Sequence, residues 1–300
     1  MSRIPRDWYD ILNVDGDLDL ICTELLVDML KKASEQSQAI FAGTDRKFFI
    51  WELEDYNKLV SFIFDLCSSL HMDDDFVKYN SCELYEEFLY RHIENLKSQI
   101  ANGTVEEEKN LWYNIKHQAL LRLISCIMLS SKISSMRATK YLNDFHELMK
   151  SYGQKYSKNA ILRSEIRVLK TVDFKVDRCL LYAICPLLIL TLSHNEPNLD
   201  AKLFYSILHK IMDYYYLAKS DIFKRLFEVL SRQSVSKSQF VSLMNNTMLI
   251  GSAIVAAAPM LVNEKDAPQV LTDLAFITCY DEKDICTIRD VILEGLLASK

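Results

Sequence analysis

Turn-forming residues are scarce in this chain. Six glycines and five prolines in 300 residues fall well below the roughly 12% share of an average protein, too few for many short strands or a Gly-rich phosphate loop. Apolar residues instead recur at three and four, as in Leu59, Phe62, Ile63, Leu66 and Leu70, the period of amphipathic helices. The expected fold class is therefore all-α. With half its residues apolar, a chain of this length buries about three quarters of its unfolded surface in one large domain or two ordinary ones.

Charge and cysteine usage narrow the function classes. The formal charge is −6, so no net positive field draws the chain onto a phosphate backbone, and direct nucleic-acid binding is disfavoured. The eight cysteines contain no C-x-x-C and several sit in apolar stretches, as in Leu-Ile-Ser-Cys126-Ile-Met; they read as small buried hydrophobes in a reducing compartment. The start, Met-Ser-Arg-Ile-Pro-Arg-Asp-Trp, lacks a secretory or transit pattern. Two apolar runs, Cys179 to Leu192 and Thr247 to Val262, are shorter than the roughly 20 residues of a membrane span and are expected as buried helices.

Breaks in the periodicity set the organisation. A first helix is expected over about 18–40 after Asp15-Gly16-Asp17, then a helix ending near Asp73-Asp74-Asp75, and others over about 76–100, 111–133, 137–150 and 158–172. The remainder repeats the plan over about 178–193, 199–218, 220–232, 237–260, 266–278 and 282–298. Each half contains one helix mixing small and large apolar side chains, Leu123 to Ser131 and Met248 to Ala258, a composition that suits a helix surrounded by others. The expected architecture is an N-terminal helix and linker (1–50) followed by two tandem five-helix units, 55–177 and 178–300.

Catalytic templates are missing. No dinucleotide, Walker, zinc-protease, nucleophile-elbow or kinase signature occurs in the sequence. The run from Asp15 begins like a calcium loop but has Leu20 at the sixth position and Leu26 at the twelfth. The six histidines form no i, i+4 pair, so no zinc site is indicated, and the Asp73 to Asp75 run beside His71 reads as a helix cap. No enzyme activity, cofactor or metal is expected, and function must lie in surfaces.

Four stretches carry a resemblance. Phe62-Ile-Phe-Asp65-Leu and Leu84-Tyr-Glu86-Glu-Phe-Leu89 are followed by Leu121-Arg-Leu-Ile-Ser-Cys-Ile-Met-Leu-Ser-Ser-Lys132 and Ser164-Glu165-Ile-Arg-Val-Leu169-Lys-Thr-Val-Asp-Phe174-Lys-Val176. Together they resemble the cyclin box, a five-helix module that binds and activates a cyclin-dependent kinase. The resemblance implies a cyclin-like fold in which Lys132 and Glu165 contact the kinase beside its mobile regulatory helix, while Phe174 and Val176 pack on that helix. It is strongest to a divergent branch of the family acting in meiotic crossover maturation, which implies meiotic recombination proteins as further partners and a location in the nucleus on meiotic chromosomes, with the cytoplasm as a second location.

Departures from ordinary cyclins bear on mechanism. The Arg of the family's first-helix Met-Arg motif falls at Val60, its Trp at Leu66, and the aromatic-acid-acid after the Lys at Ile133-Ser134-Ser135. Loss of those acids removes charge from the kinase-facing rim. Leu59, Phe62 and Leu66 are the candidates for an apolar docking patch, and Phe174 and Val176 are weighed as partly core. Lys132 and Glu165 fit equally a surface ion pair worth about 0 to 1 kcal/mol or a partner contact. The expected function is a non-catalytic kinase regulator; a kinase-independent scaffold for recombination or replication-clamp-loader proteins is the alternative.

Overall fold

The computed structural model describes residues 23–41, 55–72, 74–99, 105–134, 141–196, 199–232 and 235–298. These residues form helices and no strand, so the all-α expectation holds. The turn at Asp15 and the start of the helix expected at 137 lie outside the described residues, as does Asp73. The chain divides into two compact units, one formed by residues 46–179 and the other by 1–45 together with 180–300.

The first described helix, α1 (Thr23–Phe41), belongs to the other unit; among the described residues the 46–179 unit has five helices, α2 (Tyr56–Ser69), α3 (Asp75–Gln99), α4 (Val105–Ser134), α5 (Tyr141–Ser151) and α6 (Lys158–Thr171). The apolar stripe of α2 buries Tyr56, Val60, Ile63, Leu66 and Cys67, and α2 packs on α3. At the start of α3, Asp74 Oδ1 accepts from the Phe76 N–H at 2.9 Å, the capping role expected for the acidic run. Helix α4 is the hub, packing on α3, α5 and α6, and is buried from Leu121 to Ser131. Its small residues hydrogen-bond within the core: Ser125 Oγ donates to Leu121 O at 2.8 Å and lies within hydrogen-bond distance of Ser164 Oγ at 2.7 Å. Helix α6 starts at Ser157, whose side chain accepts from the Ala160 N–H. The Tyr56 hydroxyl donates to Glu86 inside the unit; burial, then the Glu86 charge, push the phenol well above its ordinary range.

In the other unit the hub is α11 (Thr247–Val262), with α1 (Thr23–Phe41), α7 (Leu181–Asn195), α8 (Ala201–Leu217), α12 (Ala267–Thr278) and α13 (Glu282–Ala298) packed on it. Helix α1 lies against α7 and α11 and buries Leu26, Ala33 and Ser37. Met248 to Pro259 of α11 are all buried, and so are Ile184 to Leu192 of α7; among the described residues no helix is long and apolar enough to cross a membrane. Gly251 permits the α7–α11 approach, since a Cβ there would stand 2.8 Å from Ile184 Cγ2. The remaining helices are α9 (Lys219–Ser231) and α10 (Lys237–Met244).

One expected helix is two. The span 237–260 breaks at Asn245 and Asn246, because Asn246 takes an extended backbone and its side chain accepts from the Leu249 N–H, starting α11 afresh. Its Nδ2 also donates to the Tyr280 hydroxyl at 2.6 Å. Helix α10 has its own capping box of Ser236 and Gln239. Among the described residues Cys67, Cys82, Cys126, Cys179 and Cys185 are buried, as expected of small hydrophobes, whereas Cys279 is exposed and Cys286 half-buried.

Candidate functional site

The surface of interest is built where α4 ends and α6 runs into the turn that follows it. Lys132 in the last turn of α4 donates to Glu165 of α6. The carboxylate is the buried partner, at 8% exposure, while the ammonium is 38% exposed. The pair thus exists within the molecule, with the Lys head open to a partner and the Glu held from behind. Beneath it, Met128 and Cys126 of α4 are core.

Helix α6 ends in an unusual turn. Asp173 and Phe174 both have left-handed backbones, with φ of 59° and 58°. Two consecutive non-glycine residues there, one of them aromatic, cost of order 1–3 kcal/mol each. The Phe174 N–H closes the helix on Leu169 O at 2.8 Å. The side chain gains no burial in return, being 67% exposed; Phe174 is not partly core as weighed from the sequence, because the left-handed turn carries it outward. Val176, two residues on, is half-buried.

What holds the turn is a clamp centred on Asn80 of α3, itself wholly buried. Its Nδ2 donates to Ser130 Oγ at 2.9 Å and to Val176 O at 3.0 Å. Its Oδ1 accepts from the Arg178 and Cys179 N–H groups at 2.8 and 3.2 Å. All four hydrogen-bonding sites of the amide are used. A charged brace lies alongside: Glu87 Oε1 takes Arg91 Nε at 2.6 Å and Arg178 Nη2 at 3.2 Å, and Arg91 reaches Asp173 at 3.8 Å. Arg178 also donates to Lys175 O at 2.9 Å. The sequence reading missed this clamp. Its one sequence signal is Asn80 itself, a polar residue of poor helix propensity placed in the second turn of α3 between the buried Tyr79 and Cys82.

The apolar docking patch is not presented as expected. Leu66 is wholly buried, since it lies on the same stripe of α2 as Val60 and Ile63. Leu59 and Phe62 are half-buried, and Tyr152 packs edge-on against Phe62 with ring centres 5.4 Å apart. Val60, where ordinary cyclins are expected to carry Arg, is also buried. Ser134, in the position of a lost acid, donates to Asp74 within the unit. Among the described residues no group of His, Cys, Asp or Glu side chains could hold a metal.

Two curated relatives align along most of the chain. Cyclin N-terminal domain-containing protein 1 of Homo sapiens is 26% identical over 278 residues, covering 88% of this chain and 82% of its own length. The Mus musculus protein of the same name is 23% identical over 290 residues, covering 93% and 85%. The chain is thus similar to these two proteins over most of its length and shares an all-α architecture consistent with a cyclin-like fold. No family model and no solved structure matches the chain.

Proposed function

We propose that this cyclin-like protein is a non-catalytic regulator that binds a cyclin-dependent kinase through Lys132, Glu165, Phe174 and Val176 and promotes meiotic crossover maturation, acting in the nucleus. The observation that carries the reading is Phe174: an aromatic held in a strained backbone, mostly in solvent, by a fully satisfied buried clamp. Folding alone gives no reason to keep such a residue there. Strain maintained by its surroundings is characteristic of binding sites, and an exposed aromatic already locked in place loses little entropy when it docks. The half-open Lys132 adds a charged contact one helix away.

The test is titration of the full chain with a purified monomeric cyclin-dependent kinase, following affinity and kinase activity. Phe174→Ala is expected to weaken binding by about 2 kcal/mol or more, as for an aromatic hot spot, and Lys132→Ala/Glu165→Ala by about 2 to 5 kcal/mol. Phe174→Gly should stabilise the free protein by up to about 1 kcal/mol, because glycine adopts positive φ freely, while losing the same affinity. Unchanged binding by Phe174→Ala overturns the assignment.

A kinase-independent scaffold for recombination or clamp-loader proteins is the second reading. It is favoured by Ser134, which ties itself to Asp74 where a kinase-facing acid would be expected, and by the burial of Val60. Failure of the wild-type protein to bind any such kinase selects it.

A further inference from the structure

Helix α12 turns an uncharged face to solvent. Its Ala267, Val270 and Leu274 are buried, and the helix packs on α7, α11 and α13. On the other side Pro268, Thr272, Phe276 and Cys279 recur at four and three, which places them in one row, and all four are exposed. The solvent face of an amphipathic helix ordinarily carries charge; this row has none. Phe276 is 83% exposed, more than any other large hydrophobic side chain among the described residues. It stands on a braced corner: the Thr278 hydroxyl donates to Leu274 O at 2.6 Å, and the Tyr280 hydroxyl, just past the left-handed Cys279, accepts from Asn246 Nδ2 at the start of α11.

Charge gathers instead at the two ends of the row. Glu264 and Asp266 stand in the turn that precedes α12, and Asp281, Glu282 and Asp284 follow it at once, into the first turn of α13. Residues 263–298 hold eight Asp and Glu against three Lys and Arg, a net −5 in a chain whose total is −6. Of the three bases, Arg289 is engaged by Asp290 at 2.7 Å. Each acid suits the helix start beside it, and together they set negative charge at either end of a twelve-residue helix, about 18 Å long. An apolar anchor between two acidic ends has a defined complement, apolar in the middle and basic on both sides.

We propose that this face of α12 is the docking site for a cationic segment of a partner protein, in which an apolar side chain packs on Phe276 while Lys or Arg residues on either side of it meet the acids at the two ends of the helix. The apolar centre supplies affinity, and the charged rim supplies orientation and a faster encounter. An aromatic on a braced helix loses little freedom when it is covered. An extended segment spans about 18 Å in about six residues, so the bases fall about three positions before and after the apolar residue. This site does not depend on the kinase reading, since Lys132, Glu165, Phe174 and Val176 belong to the 46–179 unit and take no part in it.

The experiment uses the full chain and fluorescence anisotropy with a labelled pool of peptides about nine residues long, each with Leu at its centre, a Lys-Arg pair at each end and random residues between. Two twin pools carry Ser in place of the Leu, or Asp-Glu in place of the basic ends. The parent pool should bind at least about tenfold tighter than either twin, the difference expected for one buried apolar side chain or for reversal of the end charges. Phe276→Ala should erase the preference for Leu over Ser, and Glu264→Gln/Glu282→Gln most of the preference for basic ends, as should added salt. All three substitutions fall at exposed positions and should leave the unfolding temperature in place. No binding of the parent pool, equal binding of parent and twins, or a preference for Leu that Phe276→Ala leaves intact overturns the proposal. Self-association of the full chain in sedimentation velocity that Phe276→Ala abolishes gives the face to a second copy and overturns it as well.

Discussion

Replacing Asn80 by Ala removes the amide that ties residues 176–179 to α3. Four hydrogen bonds go with it: two donated, to Ser130 Oγ and Val176 O, and two accepted, from the Arg178 and Cys179 N–H groups. Each buried group left without a partner costs about 1–3 kcal/mol. Allowing for partial relaxation and water entry, the local loss should be about 3 kcal/mol, or roughly a hundredfold in the opening equilibrium. Because the chain has two units, a single unfolding free energy is a poor readout; native-state amide hydrogen exchange resolves the effect by position. The Arg178 and Cys179 amides of Asn80→Ala should exchange about a hundredfold faster, while amides of α11 in the other unit keep their rates. Asn80→Asp retains the acceptor, so it should protect those two amides better than Ala does. Unchanged protection of Arg178 and Cys179 in Asn80→Ala would show that the clamp does not hold the turn.

Two further outcomes follow from the packing. Gly251→Ala places a methyl 2.8 Å from Ile184 Cγ2 in a region with no free space, and should destabilise by about 1–3 kcal/mol; Ile184→Leu, which moves the branch away from Cβ, should recover part of the loss in a thermal melt of the double variant. Burial pushes the Cys67 thiol from 9.0 up to about 12. The unfolded chain therefore loses this proton before the folded one does, so its contribution to stability is complete below pH 9 and declines by roughly 1 kcal/mol per pH unit up to about 12. Comparing alkaline denaturation of the wild type with Cys67→Ala measures it: the variant should show the shallower decline over that range.

The hub helices were legible because composition reports surroundings: stretches such as Leu123 to Ser131 and Met248 to Ala258 have no polar face to give to water, so they must be enclosed. The break at Asn245-Asn246 was hidden because apolar residues keep a helical spacing on both sides of it, and only the cap hydrogen bond to Leu249 shows that the register restarts. Periodicity also failed at Phe174, since an apolar residue at a helix end reads as core unless the backbone sign of φ is known. Leu66 shows the opposite error, an apolar residue assigned to a surface that the stripe of α2 had already claimed for the interior. Lys132 and Glu165 could be named from motif alone, yet the Asn80 clamp links positions almost a hundred apart in the chain, a distance over which no local pattern carries information.

The placement of α1 has a consequence for synthesis. Its partners α7 and α11 are made after the entire 46–179 unit, so a helix made before that unit is among the last to find its seat. With translation at about 5–20 residues per second, the roughly 200 residues between α1 and α11 correspond to a wait of about 10–40 s. Throughout that interval Leu26 and Ala33, later buried, face water or a chaperone, while the 46–179 unit has all its own helices in hand and can close. The nested order ties the seating of α1 to the synthesis of its partners: nothing that depends on its full docking can begin until α11 has been made.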